Sequence, residues 1–301
     1  MIGGREDELE GSVLRAFSGA PPCTLIAAFE GWNDAGDAST LAVQHLYNQM
    51  HAEVEATIEP EMYYDFTTAT PRLNFNPDRS RYLTWPSNEL RRVPRSADEP
   101  QLLFLRGVEP NLRWRTFSAE ILELARERGV TRVIMLGGLL SDVPHTRPVQ
   151  VFGSSSDKTS QSEYHVQAST YEGPTGIVGV LSAAFAEAGV ATVSLWAAVP
   201  SYMPAAPSPK AALALVQRVE AILGLNLDKG DLIRDATRYE TEISRLVERD
   251  DDSADYVARM EERWDADKGE HFEDLIDTST IQNPDPDLLV AEVEEFLRDS
   301  S

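Results

Sequence analysis

Three short polar loops carry most of the side chains that could do chemistry in this chain. Each loop follows an apolar run typical of a buried strand or opens a predicted helix. Carboxylates and an imidazole can transfer protons near neutral pH, and a guanidinium can grip a carboxylate or phosphate. The candidate ligand-binding residues are Glu30, Trp32, Asn33 and Asp34 in the first loop, Gly138 just before the second loop, Asp142, His145 and Arg147 in it, and Tyr171, Glu172 and Thr175 in the third.

Each loop also has a purely structural explanation, and the residues alone leave both open. The first could be a capped turn whose Trp32 covers the sheet edge, and the second a loop stiffened by Pro144 and Pro148 whose His145 is solvated. In the third, Pro174 suits the first turn of a helix. The glycines around it either leave N–H groups open to an anion or allow a helix to pack closely on the sheet.

Familiar catalytic and cofactor motifs are absent from the sequence. It contains no phosphate-binding P-loop, no G-x-G-x-x-G after a strand, no H-E-x-x-H and no G-x-S-x-G. Ser141, Asp142 and His145 lie too close in sequence for a catalytic triad, which separate loops usually assemble. Cys23 is the only cysteine, so the chain can form neither an internal disulfide nor a cysteine metal cluster. We therefore assign no catalytic residue, cofactor or metal site.

The composition restricts the partners of the protein. The 301 residues include 50 acidic and 27 basic side chains, a formal net charge of −23. Such acidity disfavours nucleic acid, whose phosphates need basic partners, and also an anionic membrane surface. No apolar run approaches the ~20 residues that span a bilayer, and residues 1–10 lack the apolar region of a signal peptide. We expect a cytoplasmic protein that binds neither nucleic acid nor membrane.

Apolar runs and amphipathic segments alternate along the first 225 residues. The predicted strands are Leu25–Phe29, Val54–Ile58, Gln101–Leu105, Val133–Leu136 and Ala191–Ala198. The predicted helices are Ala35–Leu46 capped by Asn33 or Asp34, Phe117–Arg128 capped by Ser118, Pro174–Glu187 and Pro209–Leu223. This order predicts an α/β core with a mostly parallel sheet between helices. The three loops would then meet at its carboxyl edge, where open sheets bind ligands.

Two regions depart from this alternation. Residues 61–100 are rich in arginine and aromatic residues and predict an inserted β-hairpin with arms Met62–Phe66 and Arg81–Trp85. It is either an oligomer contact, with aromatics buried between subunits, or a solvated hairpin. Residues 150–171 are polar with a β-like alternation.

The last quarter of the chain has a different composition from the rest. Residues 226–301 carry 24 acidic and 9 basic side chains, so we place a boundary near Leu225 and predict an all-helical subdomain. Apolar stripes mark helices at Leu232–Val247, Val257–Trp264 and Leu288–Leu297. These stripes need a surface to cover, so we expect the helices to fold back on the core.

Four motifs, in order along residues 25–225, resemble the bacterial branch of the proteasome assembly chaperone family, type two. They are Phe29-Glu-Gly-Trp-Asn-Asp-Ala-Gly36, Pro144-His-Thr-Arg-Pro148, Glu172-Gly-Pro-Thr-Gly-Ile-Val-Gly179 and Pro207-Ser-Pro-Lys-Ala211. The resemblance implies a phosphorylase/hydrolase-like three-layer core, a hairpin used in a homotrimer, and a C-terminal helical lid over a ligand cleft. It implies no known reaction, so it assigns no catalytic residue.

Two functions remain open from the sequence. The first is a non-enzymatic homo-oligomer that holds a small-molecule or protein ligand, because no nucleophile–base pair or metal set is recognisable. The alternative is a hydrolase or nucleoside-phosphorylase-like enzyme acting in the cleft, because polar loops converge at one sheet edge. The chain ends Phe296-Leu-Arg-Asp-Ser-Ser301. It therefore lacks the hydrophobic-tyrosine tail of related proteasome-docking proteins, and we expect no proteasome activation by tail insertion.

Overall fold

The computed structural model describes residues 21–267. The predicted helix Leu288–Leu297 and the C-terminal tail lie outside the described residues. The strands are β1 Cys23–Glu30, β2 Glu53–Ile58, β3 Arg72–Phe75, β4 Arg81–Thr84, β5 Asn88–Arg92, β6 Gln101–Val108, β7 Val130–Ser141, β8 Val151–Ser154 and β9 Ala191–Pro200. The helices are α1 Ala38–Gln49, α2 Trp114–Glu127, α3 Lys158–Tyr164, α4 Ile177–Glu187, α5 Pro209–Leu223, α6 Gly230–Val247 and α7 Asp251–Asp267.

A seven-stranded sheet with the order β2-β5-β6-β1-β7-β9-β8 forms the centre of the protein. Its middle strands β6, β1, β7 and β9 are parallel to one another, while β5 and β8 are antiparallel to the strands they pair with. β3 and β4 form a separate two-stranded antiparallel sheet. The predicted mostly parallel α/β core with an inserted hairpin is therefore confirmed.

The apolar run of β1 is buried on both faces of this sheet. Ile26 and Ala28 face a core that α1 and α5 cover, and Leu25, Ala27 and Phe29 face a second core that α2 and α4 cover. Because strand side chains alternate between faces, an uninterrupted apolar strand requires helices on both sides. This arrangement produces the three layers.

The prediction that Met62–Phe66 forms the first arm of the hairpin is wrong. A short 3-10 turn at Pro60–Met62 replaces it, and Tyr63 and Tyr64 are buried within the chain itself. The Tyr63 hydroxyl bonds to the carboxylate of Glu120, and the Tyr64 hydroxyl donates to the carbonyl of Val108 at 2.7 Å. The rings of Tyr63 and Tyr64 fill the protein's own core. The aromatic composition of this segment, which is typical of a strand, therefore reflects core packing. The hairpin is β3–β4, with Leu73 opposite Leu83.

Three further boundaries differ from the prediction. Ser118 does not cap α2, because that helix begins four residues earlier at Trp114 and encloses it. Pro174 is not in the first turn of α4, which begins at Ile177. Residues 150–171 contain the short strand β8 and also α3, which Asp157 caps by accepting from the Ser160 N–H at 2.7 Å. In the sequence, Asp157 followed by the polar residues of α3 is the pattern that indicates this helix.

The turn after β1 lies directly against β7. The Gly138 N–H donates to the Asn33 carbonyl at 2.8 Å, and Asp34 forms an isolated bridge with Gly138. A Cβ atom on Gly138 would lie 2.7 Å from the carbonyl oxygen of Ala35, closer than atoms can pack. Glycine at this position therefore allows the backbones of the first loop and β7 to approach each other.

We expect Gly138→Ala to lower the free energy of unfolding by about 1–3 kcal/mol, because the added methyl group forces two backbones apart. The control is Gly230→Ala at the start of α6, where the nearest atom to an added Cβ is the Asp228 carboxylate at 3.2 Å. It should be neutral or stabilising, since alanine favours a helix over glycine. Urea unfolding measures the free energy of unfolding of both variants. Equal values would contradict the close approach of the first loop to β7.

Candidate functional site

Asp34 organises the turn between β1 and α1. Its Oδ1 atom accepts from the Ser39 N–H at 2.7 Å and the Ser39 hydroxyl at 2.6 Å, and Oδ2 accepts from the Thr40 hydroxyl. The predicted capping role is confirmed, although the side chain reaches past the 3-10 turn Ala35–Asp37 to do it. Burial raises the pKa of Asp34, and the hydrogen bonds from Ser39 and Thr40 oppose that rise.

Glu109, which is not among the predicted site residues, joins the first loop to the third. Its Oε1 atom accepts from the Asn33 side-chain amide at 3.0 Å and from the Ile177 N–H at 2.7 Å. Its Oε2 atom accepts from the Trp32 N–H at 3.2 Å. The carboxylate thus lies at the amino end of α4, where an external anion was one of the two possibilities left open by the sequence. The protein's own side chain occupies that position.

Two features of the sequence could have indicated Glu109 as a site residue. It directly follows the apolar strand β6, so it falls on the same carboxyl edge of the sheet as the first loop. Gly176 was the second indication, because a Cβ there would collide with the side chains of Asn33 and Glu109. The glycine is therefore needed for close packing, one of the two explanations that the sequence had left open.

Part of this edge remains exposed. Four predicted site residues are accessible to solvent there, namely Trp32, Tyr171, Glu172 and Thr175. The Tyr171 hydroxyl donates to the Pro174 carbonyl at 2.8 Å, which orients the ring. The predicted residue Glu30 is partly exposed and forms an ion pair with Arg106 at 2.8 Å.

His145 in the second loop is only 3% exposed and bonds through both ring nitrogens. Nδ1 lies 2.7 Å from the Tyr202 hydroxyl, and Nε2 lies 3.0 Å from the Ser244 hydroxyl on α6. The explanation of a solvated histidine in this loop is therefore wrong. The ring connects the loop after β7 to the loop after β9 and to the C-terminal helices.

The surrounding hydrogen bonds determine which nitrogen of His145 carries the proton. The Tyr202 oxygen accepts from the His145 backbone N–H at 2.8 Å, so its own proton is available to Nδ1. The Ser244 hydroxyl donates to the Glu240 carbonyl at 2.9 Å, so it accepts from Nε2–H. This assignment makes His145 a neutral ring protonated at Nε2. Burial, and then the nearby Lys210, lower its pKa, while Glu240 and Glu261 oppose that change.

Arg147 and Asp142 also bond to the C-terminal helices. The Arg147 guanidinium grips both carboxylate oxygens of Asp265, at 2.9 and 2.7 Å, and lies 3.3 Å from Glu261. Asp142 accepts from the Ser201 hydroxyl at 2.8 Å and from the Tyr256 hydroxyl at 3.3 Å. The polar side chains of the second loop thus hold α6 and α7 rather than an open ligand site.

The space beside His145 is small. A cavity of about 10 Å³ lies there, bordered by Gln150, Lys210 and Tyr239 among others. That volume holds roughly one water molecule, whereas small-molecule sites typically enclose about 300–1,000 Å³. Within residues 21–267, no three His, Cys, Asp or Glu side chains converge to hold a metal ion. No helix in that range has the length and apolarity to cross a membrane.

The structure therefore separates the predicted residues into two groups. The first and third loops meet at Glu109, and their outer side chains form an exposed edge. The second loop follows β7, whose Gly138 contacts Asn33 and Asp34 of the first loop through the backbone, and the side chains of His145 and Arg147 bond to α6 and α7.

Comparisons with known proteins agree with this fold. A PAC2 family protein from Streptomyces avermitilis is 43% identical with a TM-score of 0.72, over 78% of this chain and 99% of that chain. A Mycobacterium tuberculosis proteasome-assembly chaperone homologue is 40% identical with a TM-score of 0.70, over the same shares. The archaeal proteasome activator PbaB of Pyrococcus furiosus, 20% identical with a TM-score of 0.61 over 76% of this chain and 95% of its own, shares the fold.

No match was found among curated proteins. The family model described as the PAC2 family matches residues 28–247, which include all three loops, the hairpin and α6. The resemblance inferred from the four motifs is confirmed, and the chain belongs to the PAC2 family.

Proposed function

We propose that this protein is a homo-oligomeric binding protein of the assembly-chaperone type, which holds a protein partner and catalyses no reaction. The observation that carries the proposal is the exposed apolar hairpin β3–β4. The engagement of Asp34, His145 and Arg147 by the chain's own groups adds support, because it leaves no free acid–base pair among them. The names of two similar structures, an assembly-chaperone homologue and a proteasome activator, also favour a protein partner.

The hairpin exposes apolar side chains that a soluble monomer would normally bury. Leu73, Phe75 and Leu83 are between 53% and 62% exposed, and Tyr82 and Trp85 are exposed as well. Leu73 pairs with Leu83, so the two lie on the same face of a ribbon that no third strand from residues 21–267 supports. Two-stranded ribbons are marginally stable alone in water. A second copy of the chain supplies the missing support, and a homotrimer is the assembly we propose.

The C-terminal helices act in this proposal as a fixed helical lid. α6 and α7 cover the second loop through His145, Arg147 and the ion pair of Lys210 with Glu240. Leu232 of α6 joins the core beneath α5. A subdomain boundary near Leu225 and a cytoplasmic location stay predictions from the sequence.

Replacing Leu73 and Leu83 together by serine should convert the trimer to monomers of 33.3 kDa. Loss of the apolar contact removes the hydrophobic gain of association. The control is Ile233→Ser on α6, an apolar residue of similar exposure outside the hairpin, which should leave the mass unchanged. Light scattering after size exclusion measures both, and a monomeric wild type or an unaffected hairpin variant would refute the proposal.

Replacing His145 by asparagine should flatten the pH dependence of stability below about pH 6.5. Burial keeps the pKa of the native ring below its usual value, whereas the unfolded chain binds a proton near the usual one. The unfolded state therefore binds more protons in this window, and the free energy of unfolding falls as pH falls. One such group contributes a slope of at most about 1.4 kcal/mol per pH unit.

Urea unfolding at about pH 5.5 and about pH 7.5 measures this difference. His51→Asn is the control, because His51 is exposed and its left-handed backbone conformation suits asparagine. It should keep the wild-type pH dependence. Identical slopes for wild type and His145→Asn would show that the ring is not held neutral by its surroundings.

A further inference from the structure

We infer that the hairpin of one copy docks on the exposed edge of the next copy, which we call the aromatic edge and define as Trp32, Leu112, Tyr171 and Glu172. The inference rests on the proposed self-association through the hairpin and adds the surface that receives it. Two different surfaces of the same chain would meet, so the contact is head-to-tail. Contacts of this kind close into a ring when the rotation between copies allows it.

The hairpin is both apolar and basic. Between Arg72 and Thr84 it carries Arg72, Arg79 and Arg81 against the single acid Asp78, in a chain whose net charge is −23. None of these three arginines pairs with a carboxylate within residues 21–267. Arg81 lies over the Phe75 ring, 5.6 Å from its centre. The receiving surface should therefore offer apolar area, aromatic faces and carboxylates.

The aromatic edge offers these groups. Trp32, Leu112 and Tyr171 are between 38% and 52% exposed, and Glu172 is exposed with no ion pair in the described part of the chain. Their loops are held together by Glu109, which bonds to the Trp32 and Ile177 N–H groups and lies three residues before Leu112. Rings on a rigid base lose little freedom on binding, which suits them to receive a partner.

Two other receiving surfaces fit less well. The outer faces of α6 and α7 are acidic, but Ile233 and Leu246, the exposed large apolar residues of α6, lie roughly 140° apart around the helix. They form no joint apolar patch. Hairpin-to-hairpin pairing would bring Arg72, Arg79 and Arg81 against the same residues of another copy, and like charges at an interface are unfavourable.

Mixing two defective copies tests the pairing. The hairpin variant is Leu73→Ser with Leu83→Ser, and the edge variant is Trp32→Ser with Tyr171→Ser. Each alone should be monomeric, because each lacks one of the two surfaces. In an equimolar mixture, the intact hairpin of the edge variant should dock on the intact edge of the hairpin variant. Assembly then stops at two chains, and analytical ultracentrifugation should show a dimer of one copy each.

The control mixes two differently tagged samples of the hairpin variant, which should remain monomeric. An edge variant that still forms the wild-type oligomer, while the hairpin variant does not, overturns the inference and leaves the proposed function intact. A mixture that stays monomeric also overturns it. A hairpin variant that assembles normally overturns the proposed function itself. If the double edge variant fails to fold by circular dichroism, Trp32→Lys alone replaces it with the same expected outcomes.

Discussion

The carboxylate of Glu109 is the interaction on which the arrangement of the sheet edge depends. The first N–H groups of a helix have no partner within the helix, and leaving them buried and unbonded costs free energy. Glu109 satisfies the N–H of Ile177 and at the same time orients Asn33 and the backbone of Trp32. The Asn33 carbonyl then accepts from Gly138, so one side chain links α4 to the first loop and, through it, to β7.

A second group of hydrogen bonds, around His145 and Arg147, shows how residues suited to catalysis can serve a structural role. His145 is bonded through both nitrogens, and Arg147 grips Asp265, so the loop after β7 fastens α6 and α7. Imidazole and guanidinium groups suit this role because they make several directed hydrogen bonds at once. With these groups engaged, the polar side chains of this loop hold the fold together.

The sequence predicted well the parts of the fold that depend on local patterns. The apolar run of β1 and the start of α5 at Pro209 were recognisable because burial on two faces and proline in a first helical turn leave local signatures. Met62–Phe66 was misjudged because tyrosines that fill a core have the same composition as a strand. Glu109 was missed because its partner Asn33 lies 76 residues away in the sequence, and no local pattern reports such a distance. The same reason hid the partners of His145, which come from the loop after β9 and from α6.

The central claim is that the Glu109 carboxylate already occupies the amino end of α4, where an external anion could have bound. Thermal unfolding of wild type and Glu109→Ala, with formate or with chloride at equal ionic strength, tests it most directly. The account predicts that the variant unfolds at a lower temperature, having lost hydrogen bonds to a charged group worth about 1.5–3 kcal/mol each. Formate, which replaces the missing carboxylate, should restore part of the loss in the variant and leave wild type unchanged. A wild type stabilised specifically by formate, or a variant as stable as wild type, would contradict it.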